Sequence, residues 1–199
     1  MLNNILSVMI KKIKAILNYI IFSPFIITYL CKLGGDKVKS DLNFAYKVCR
    51  FYRSDCRFKM YMNLIIHLPE WRQLYLHRIG RIGTLLKIFY EPNLLLFIEC
   101  PTIGGGVFIQ HGYATHINAE AVGERVQIWQ KVTIGVKTSG GGRPTIGNDV
   151  KIYTGACVLG DIKIGNNSII GANAVVLKDV PDNCIALGVP AKIVPITDK

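Results

Sequence analysis

The most constraining feature of this sequence is an apolar residue at every sixth position in its second half. These residues are Ile146, Ile152, Val158, Ile164, Ile170 and Val176, and four residues after the first five come Val150, Ala156, Ile162, Ser168 and Ala174. A period of six fits neither the 3.6-residue repeat of a helix nor the two-residue repeat of a flat strand. It fits a chain that turns a corner every six residues with one aliphatic side chain inward. The pattern therefore predicts a parallel β-helix of triangular coils, each of about eighteen residues.

Helical patterns fill the first half of the chain. Residues 1–33 are apolar with helical spacing and end at a glycine pair. A second helix is expected to begin at Ser40 or Asp41, because both residue types cap helix N-termini. A third helix is expected to run from Pro69, which suits a first helical turn, toward Tyr90.

Two further segments set the domain organisation. Glu91-Pro92-Asn93 breaks the helical pattern, and the β period begins directly after it. The segment Val136–Thr145 is too rich in glycine to form strands, so it is predicted to be a loop expelled from the β-helix. We therefore expect an α+β fold. A basic helical region spans residues 1–93, and a β-helix with one excursion loop and a short C-terminal tail spans residues 94–199.

The net charge of +11 lies entirely in the first half. Residues 1–90 contain fifteen Lys and Arg against four Asp and Glu, whereas residues 91–199 contain nine of each kind. An excess of this kind indicates contact with an anionic surface. Nucleic acid is not the expected partner, because the sequence contains no recognition helix, aromatic RNA-binding motif or zinc-ligand spacing.

A membrane surface is one expected partner of this basic half. Residues 15–31 carry no charge, lie between Lys14 and Lys32, and are interrupted by Pro24. Upstream, one helical face carries Leu6, Met9, Ile10, Ile13, Leu17 and Ile20. A basic amphipathic helix that leads into an apolar stretch is typical of a peripheral anchor, here on the cytoplasmic face of the inner membrane. The alternative is that these residues pack in a helical bundle or a subunit interface.

The cysteines predict a reduced, cytoplasmic protein without a structural metal. The six residues are Cys31, Cys49, Cys56, Cys100, Cys157 and Cys184. They form neither a CxxC pair nor a Cys/His spacing typical of a metal site.

The segment Ile109–Asn118 departs from the repeat and carries polar groups that β-helix packing does not need. His111 follows the corner residue Ile109, so it is expected on an outer face beside the flexible Gly112. An imidazole can take a proton from a hydroxyl near neutral pH and act as a general base. Sequence alone does not separate this role from that of a solvated surface histidine, and His116 is the nearest competitor.

Three motifs resemble those of the hexapeptide-repeat acyltransferases, in particular the serine acetyltransferase-like branch. They are Gln110-His111 leading to His116-Ile117-Asn118, the segment Ile128–Gly135 followed by the glycine loop, and Leu187–Lys192 at the end of the repeat. The resemblance implies a left-handed β-helix, a homotrimer and acetyl-CoA as acetyl donor. Handedness rests on this resemblance, since the spacing does not determine it.

The resemblance also implies roles for individual residues. His111 is the expected base, and Glu99, one turn earlier, is the best candidate for the acid that orients it. The pantetheine arm of acetyl-CoA is expected along small residues at the coil edges, between neighbouring subunits. The candidates for cofactor binding are Gly135, Gly155, Ala156, Gly171, Ala172 and Lys192. No metal is implied.

Two departures from the serine acetyltransferase pattern bear on the acceptor. Gln110 stands where those enzymes have an aspartate before the catalytic histidine, and the glycine loop keeps Arg143 but lacks the adjacent histidine. Loss of carboxylate-binding groups disfavours free serine, since a desolvated carboxylate needs cationic partners.

The sequence reading therefore favours a glycan hydroxyl, on a cell-surface polysaccharide or its lipid-linked precursor, as the acceptor. The residues expected to bind it are Gln110, Tyr113, Asn118, Trp129, Gln130 and Arg143. The expected activity is acetyl transfer from acetyl-CoA to that hydroxyl. Two alternatives stay open: a serine O-acetyltransferase of cysteine biosynthesis, and a structural β-helix without catalysis.

Overall fold

A computed structural model of the protein describes residues 2–90 and 95–196. The first of these ranges is helical: α1 (Leu2–Ile21), α2 (Ser23–Leu30), α3 (Gly35–Val48), α4 (Arg57–His67), α5 (Pro69–Arg78) and α6 (Gly80–Tyr90). The break expected at Glu91–Asn93, and with it the expected domain boundary, lies outside the described residues.

The second range folds into short strands. They are β1 (Leu96–Ile98), β2 (Thr102–Ile103), β3 (Phe108–Ile109), β4 (Thr115–Ile117), β5 (Ala121–Val122), β6 (Gln127–Ile128), β7 (Thr133–Gly135), β8 (Thr145–Ile146), β9 (Lys151–Ile152), β10 (Cys157–Leu159), β11 (Lys163–Ile164), β12 (Ile169–Ile170), β13 (Val175–Val176), β14 (Cys184–Leu187) and β15 (Lys192–Pro195). The predicted loop Val136–Thr145 lies between β7 and β8, except that its last residue, Thr145, is the first residue of β8.

The strands form the three faces of a left-handed parallel β-helix. Sheet A has the order β1-β4-β7-β10-β13, sheet B the order β11-β8-β5-β2, and sheet C the order β15-β14-β12-β9-β6-β3. Each strand pairs in parallel with the strand one coil away, except that β14 and β15 are antiparallel. The predicted α+β fold, a helical half followed by a left-handed parallel β-helix, is therefore confirmed.

The predicted inward residues form the core of the β-helix. Every member of the two apolar registers between positions 146 and 176 is buried. Ser168, the polar member, donates its hydroxyl to the carbonyl oxygen of Pro181 at 2.8 Å, so its burial leaves no lost hydrogen bond. Leu74 of α5 packs into the same core and closes its first coil.

The predicted helix boundaries were partly wrong. Ser40 and Asp41 do not cap a helix, because α3 begins at Gly35 and both residues lie within it. The helix expected from Pro69 to Tyr90 is two helices, α5 and α6, which meet at Gly80 with φ of 59°. Helix α4 was not predicted at all. Tertiary packing decides these boundaries, since α4 and α5 contribute the largest side chains of the helical core.

A buried ion pair joins the helical half to the first coil of the β-helix. Arg78 of α5 and Asp41 of α3 are 3.0 Å apart, and each side chain is 3% exposed. Asp41 accepts a hydrogen bond from the backbone N–H of Val107, and Arg78 donates to the carbonyl oxygens of Ile103 and Gly104. We call this arrangement the Asp41–Arg78 latch. It places α3 and α5 against β2 and β3.

Helix α1 stands apart from this packing. From Leu6 to Leu17, the side chains that the structure describes are all exposed. No single described helix is long and apolar enough to cross a membrane. The segments Met9–Ile21 and Ser23–Leu30 meet the length and composition requirement only when taken together, and they are bent by 58°.

Candidate active site

Two corners of the β-helix are turned by residues in the left-handed backbone conformation. One column, between sheets C and A, consists of Ala114, Lys131, Gly155 and Asn173. The other, between sheets B and C, consists of Gly106, Arg125, Asp149, Asn167 and Asn183. A residue with positive φ thus recurs at the same position in successive coils. A residue with positive φ outside these two columns is therefore unusual.

His111 is such a departure. Its φ is 59°, yet it belongs to neither column. Six residues lie between Ile109 and His116, whereas only four lie between their partners one coil later, Ile128 and Thr133. The two extra residues push the corner outward and carry His111 into solvent. Strained backbone of this kind is concentrated at functional sites.

The His111 corner packs against helix α5 at Gly112. Gly112 is buried, and a Cβ added there would lie 2.7 Å from Cγ of Glu70 and 3.0 Å from Cδ2 of Leu96. The backbone N–H of Tyr113 also donates to the carbonyl oxygen of His111, which closes a tight turn. Helix α5 therefore supports the corner from inside. Glu70, which is 8% exposed, was not identified from the sequence.

A groove of about 590 Å³ lies directly beside His111. It is lined by Val48, Cys49, Arg50, Phe51, Tyr52, Leu68, Phe108, Ile109, Gln110 and His111. One wall comes from the segment that follows α3 and the other from β3 and its corner. Within residues 2–90 and 95–196, no carboxylate forms an ion pair with Arg50. This cation was missed at the sequence level because no motif surrounds it.

Four predicted acceptor-binding residues lie at this corner or on the next coil. Nε2 of Gln110 is 3.5 Å from Nε2 of His111, and Tyr113 is exposed. Trp129 occupies the place of Gln110 one coil later, where its ring lies 4.5 Å from that of Tyr153. Gln130 follows Trp129, and its side-chain oxygen is buried without a hydrogen-bond partner.

Glu99 lies on sheet A and pairs with His116, not with His111. Oε2 of Glu99 is 3.1 Å from Nε2 of His116 across the β1–β4 pairing. Phe97 packs edge-on against the same imidazole. Asn118 and Gly135 are neighbours farther along this face. The predicted site therefore divides into a corner group around His111 and a face group around His116.

Arg143 is held away from the corner by a partner on its own face. Its guanidinium forms an ion pair with Glu120, directly before β5. Since both side chains are partly exposed, this pair contributes little to stability.

The predicted cofactor residues differ in what they offer to a ligand. Ala156 is fully buried, its N–H donates to Tyr153 and its carbonyl oxygen accepts from Thr133. Gly171 likewise uses both main-chain groups within the β-helix. The main-chain groups of both residues are thus already hydrogen-bonded within the β-helix, and their contact with acetyl-CoA stays a prediction. Gly155 is half-buried, while Ala172 and Lys192 are exposed and accessible to a ligand. No group of three potential metal ligands occurs among the residues that the structure describes.

The fold agrees with that of known hexapeptide-repeat transferases. Residues 143–178 match the family "Bacterial transferase hexapeptide (six repeats)". The chain is 40% identical over 138 residues to a serine acetyltransferase of Synechococcus elongatus, covering 66% of this chain and 55% of the relative. It is 32% identical over 149 residues to a serine acetyltransferase of Bacillus pumilus, covering 68% of this chain and 69% of the relative.

Solved structures give the same result. The crystal structure of Neisseria gonorrhoeae serine acetyltransferase matches with a TM-score of 0.70 and 27% identity, over 84% of this chain and 68% of that one. The structure of that enzyme in complex with serine matches with a TM-score of 0.66 and 27% identity, over 80% of this chain and 68% of that one. The chain belongs to the serine acetyltransferase family of hexapeptide-repeat acyltransferases.

One sequence-based prediction needs correction on this basis. The predicted glycan acceptor was wrong, because the relatives and the solved structures are serine acetyltransferases. The structural match covers 84% of the chain, more than residues 95–196 can supply, so it includes part of the helical half. The chain nevertheless spans only 55% of the length of the Synechococcus elongatus relative.

Proposed function

We propose that this protein is an acetyl-CoA-dependent serine O-acetyltransferase, with His111 as its general base. The observation that supports it is one groove beside His111 whose lining includes the cation Arg50. The sequence-based prediction disfavoured serine because the glycine loop lacks a carboxylate-binding histidine and because Gln110 replaces the aspartate before His111. Arg50 supplies a cation from the helical half instead.

His111 acts on the proton of the acceptor hydroxyl. Acetyl-CoA supplies the thioester carbonyl carbon. As the serine oxygen forms the new ester bond to that carbon, the imidazole of His111 accepts the hydroxyl proton. The C–S bond breaks and the proton passes to the departing thiolate, so that O-acetylserine and free coenzyme A are formed. The packed corner contributes to catalysis by positioning the imidazole beside the groove. A positioned base reduces the entropy lost when the two substrates react.

In the proposed mechanism, Arg50 binds the carboxylate of serine. A guanidinium can hold a carboxylate through two parallel N–H···O hydrogen bonds. The apolar side chains of Phe108 and Leu68 line the same groove.

Replacing Arg50 with glutamine is expected to raise the KM for serine by about 10- to 100-fold, because a hydrogen bond to a charged group contributes about 1.5–3 kcal/mol. The KM for acetyl-CoA should stay unchanged. Steady-state kinetics with each substrate varied in turn measure both values. Lys59→Gln removes an exposed charge from α4 and is the matched control. A serine KM that is the same in both variants would show that Arg50 does not bind serine.

We also propose that the active unit is a homotrimer with acetyl-CoA bound between subunits. One triangular β-helix offers flat faces, and two such faces form a cleft that can bury a long ligand. The exposed Ala172 and Lys192 are positioned on the last coils for such contact. Light scattering should give three times the chain mass. An active monomer would contradict this arrangement.

A further inference from the structure

We propose that α1 and α6 form a peripheral binding surface for anionic lipid membranes. This inference goes beyond acetyl transfer and does not depend on the acceptor. We define the apolar surface by the exposed side chains Leu6, Met9, Ile10, Ile13, Ile16, Leu17, Ile20 and Ile21 of α1 together with Ile82, Leu85, Ile88 and Phe89 of α6.

The α1 part of the apolar surface is a stripe along one side of a helix. At 100° per residue, the eight α1 members cover about 140° of the helix circumference. They are between 45% and 64% exposed, and Ile16 and Ile20 exceed 60%. Exposed apolar patches of this size mark an interaction site.

Contacts at the C-terminal ends of α1 and α6 hold the two helices together. The hydroxyl of Tyr90, the last residue of α6, donates to the carbonyl oxygen of Ile21 at 2.6 Å. The Tyr90 ring also lies 5.9 Å from that of Phe22. Ile88 and Phe89, which precede Tyr90 in α6, are 73% and 76% exposed.

The charges around the stripe favour an anionic lipid surface over a second protein chain. Lys12 and Lys14 flank the stripe on opposite sides, and Lys11 lies on the polar face. No aspartate or glutamate occurs before Asp36. Long lysine side chains at the edges of an apolar stripe can reach lipid phosphates while the stripe contacts acyl chains. Between two copies of α1 the same lysines would face each other and repel.

Flotation of the purified full-length protein with lipid vesicles tests the proposal. We expect the protein to float with vesicles of phosphatidylcholine and phosphatidylglycerol at low salt, and to bind pure phosphatidylcholine vesicles at least 10-fold more weakly. Each lysine near an anionic surface raises the membrane affinity by about fivefold. The triple variant Lys11→Gln, Lys12→Gln, Lys14→Gln should therefore bind on the order of 100-fold more weakly. The triple variant Lys39, Lys47, Lys59→Gln removes the same charge from α3 and α4 and should bind as the wild type does.

A second variant tests the apolar part without altering the lysines. Ile13→Asp with Leu17→Asp should abolish flotation while leaving the oligomeric mass by light scattering unchanged, since both side chains are already exposed. Equal flotation on neutral and anionic vesicles would overturn the electrostatic part of the proposal. If the wild type stays in the soluble fraction, the proposal is wrong. A change in the oligomeric mass of this double variant would then show that the surface is an interface between copies of the chain.

Discussion

His111→Ala is expected to lower kcat for acetyl transfer by about 10²–10⁴-fold, the usual contribution of a general base. The KM for acetyl-CoA should change little, because the imidazole acts on the acceptor proton and not on the nucleotide. The expected loss is large because the outward corner and its strained φ place this imidazole beside the groove. Stopped assays of free thiol release, with serine and acetyl-CoA at saturation, measure the effect.

The matched control for this variant is His116→Ala. His116 is also partly exposed, but it pairs with Glu99 on sheet A and does not line the groove. We expect its turnover to stay within a few-fold of the wild-type value. Equal losses of turnover in the two variants, or near-normal turnover in His111→Ala, would show that His111 is not the general base.

Asp41→Ala is expected to lower the free energy of unfolding by about 3–5 kcal/mol, because it leaves the Arg78 guanidinium buried without its carboxylate. The variant also removes the acceptor for the backbone N–H of Val107, which is buried in the first coil. Denaturant unfolding followed by circular dichroism measures the change.

An exposed ion pair on the β-helix provides the control for the latch. Glu124→Ala breaks the contact of Glu124 with Arg125, whose partner Asp149 remains. Exposed pairs contribute about 0–1 kcal/mol, so this variant should stay close to wild type. If Asp41→Ala costs no more than Glu124→Ala, the latch does not hold the two halves together.

The β-helix could be predicted because its determinant is local and repeated. Each corner residue, such as Ile152 or Ile164, needs only its position in the period to be placed in the core. The helical half carries no such repetition. Its boundaries depend on contacts between distant residues, for example Asp41 with Arg78, so that a residue that resembles a cap is in fact part of a buried ion pair.

The site could be predicted only where a motif marked it. His111 stands in a recognisable segment, but its strain follows from a corner that is longer than those of the other coils, which becomes visible only when strands are paired. Arg50 and Glu70 reach the corner from the helical half through tertiary packing. The acceptor prediction was wrong because it rested on two departures from the motif, at Gln110 and beside Arg143, which do not show what the helical half supplies.

The most direct test of the account is the kcat/KM for L-serine with saturating acetyl-CoA, measured on the purified full-length protein with O-acetylserine identified by mass spectrometry. We expect a value on the order of 10⁴ M⁻¹s⁻¹ or higher, as for an ordinary enzyme on its own substrate. The value should fall in both His111→Ala and Arg50→Gln and should be unchanged in Lys59→Gln. A rate of thiol release that is the same with and without serine would contradict the proposed function.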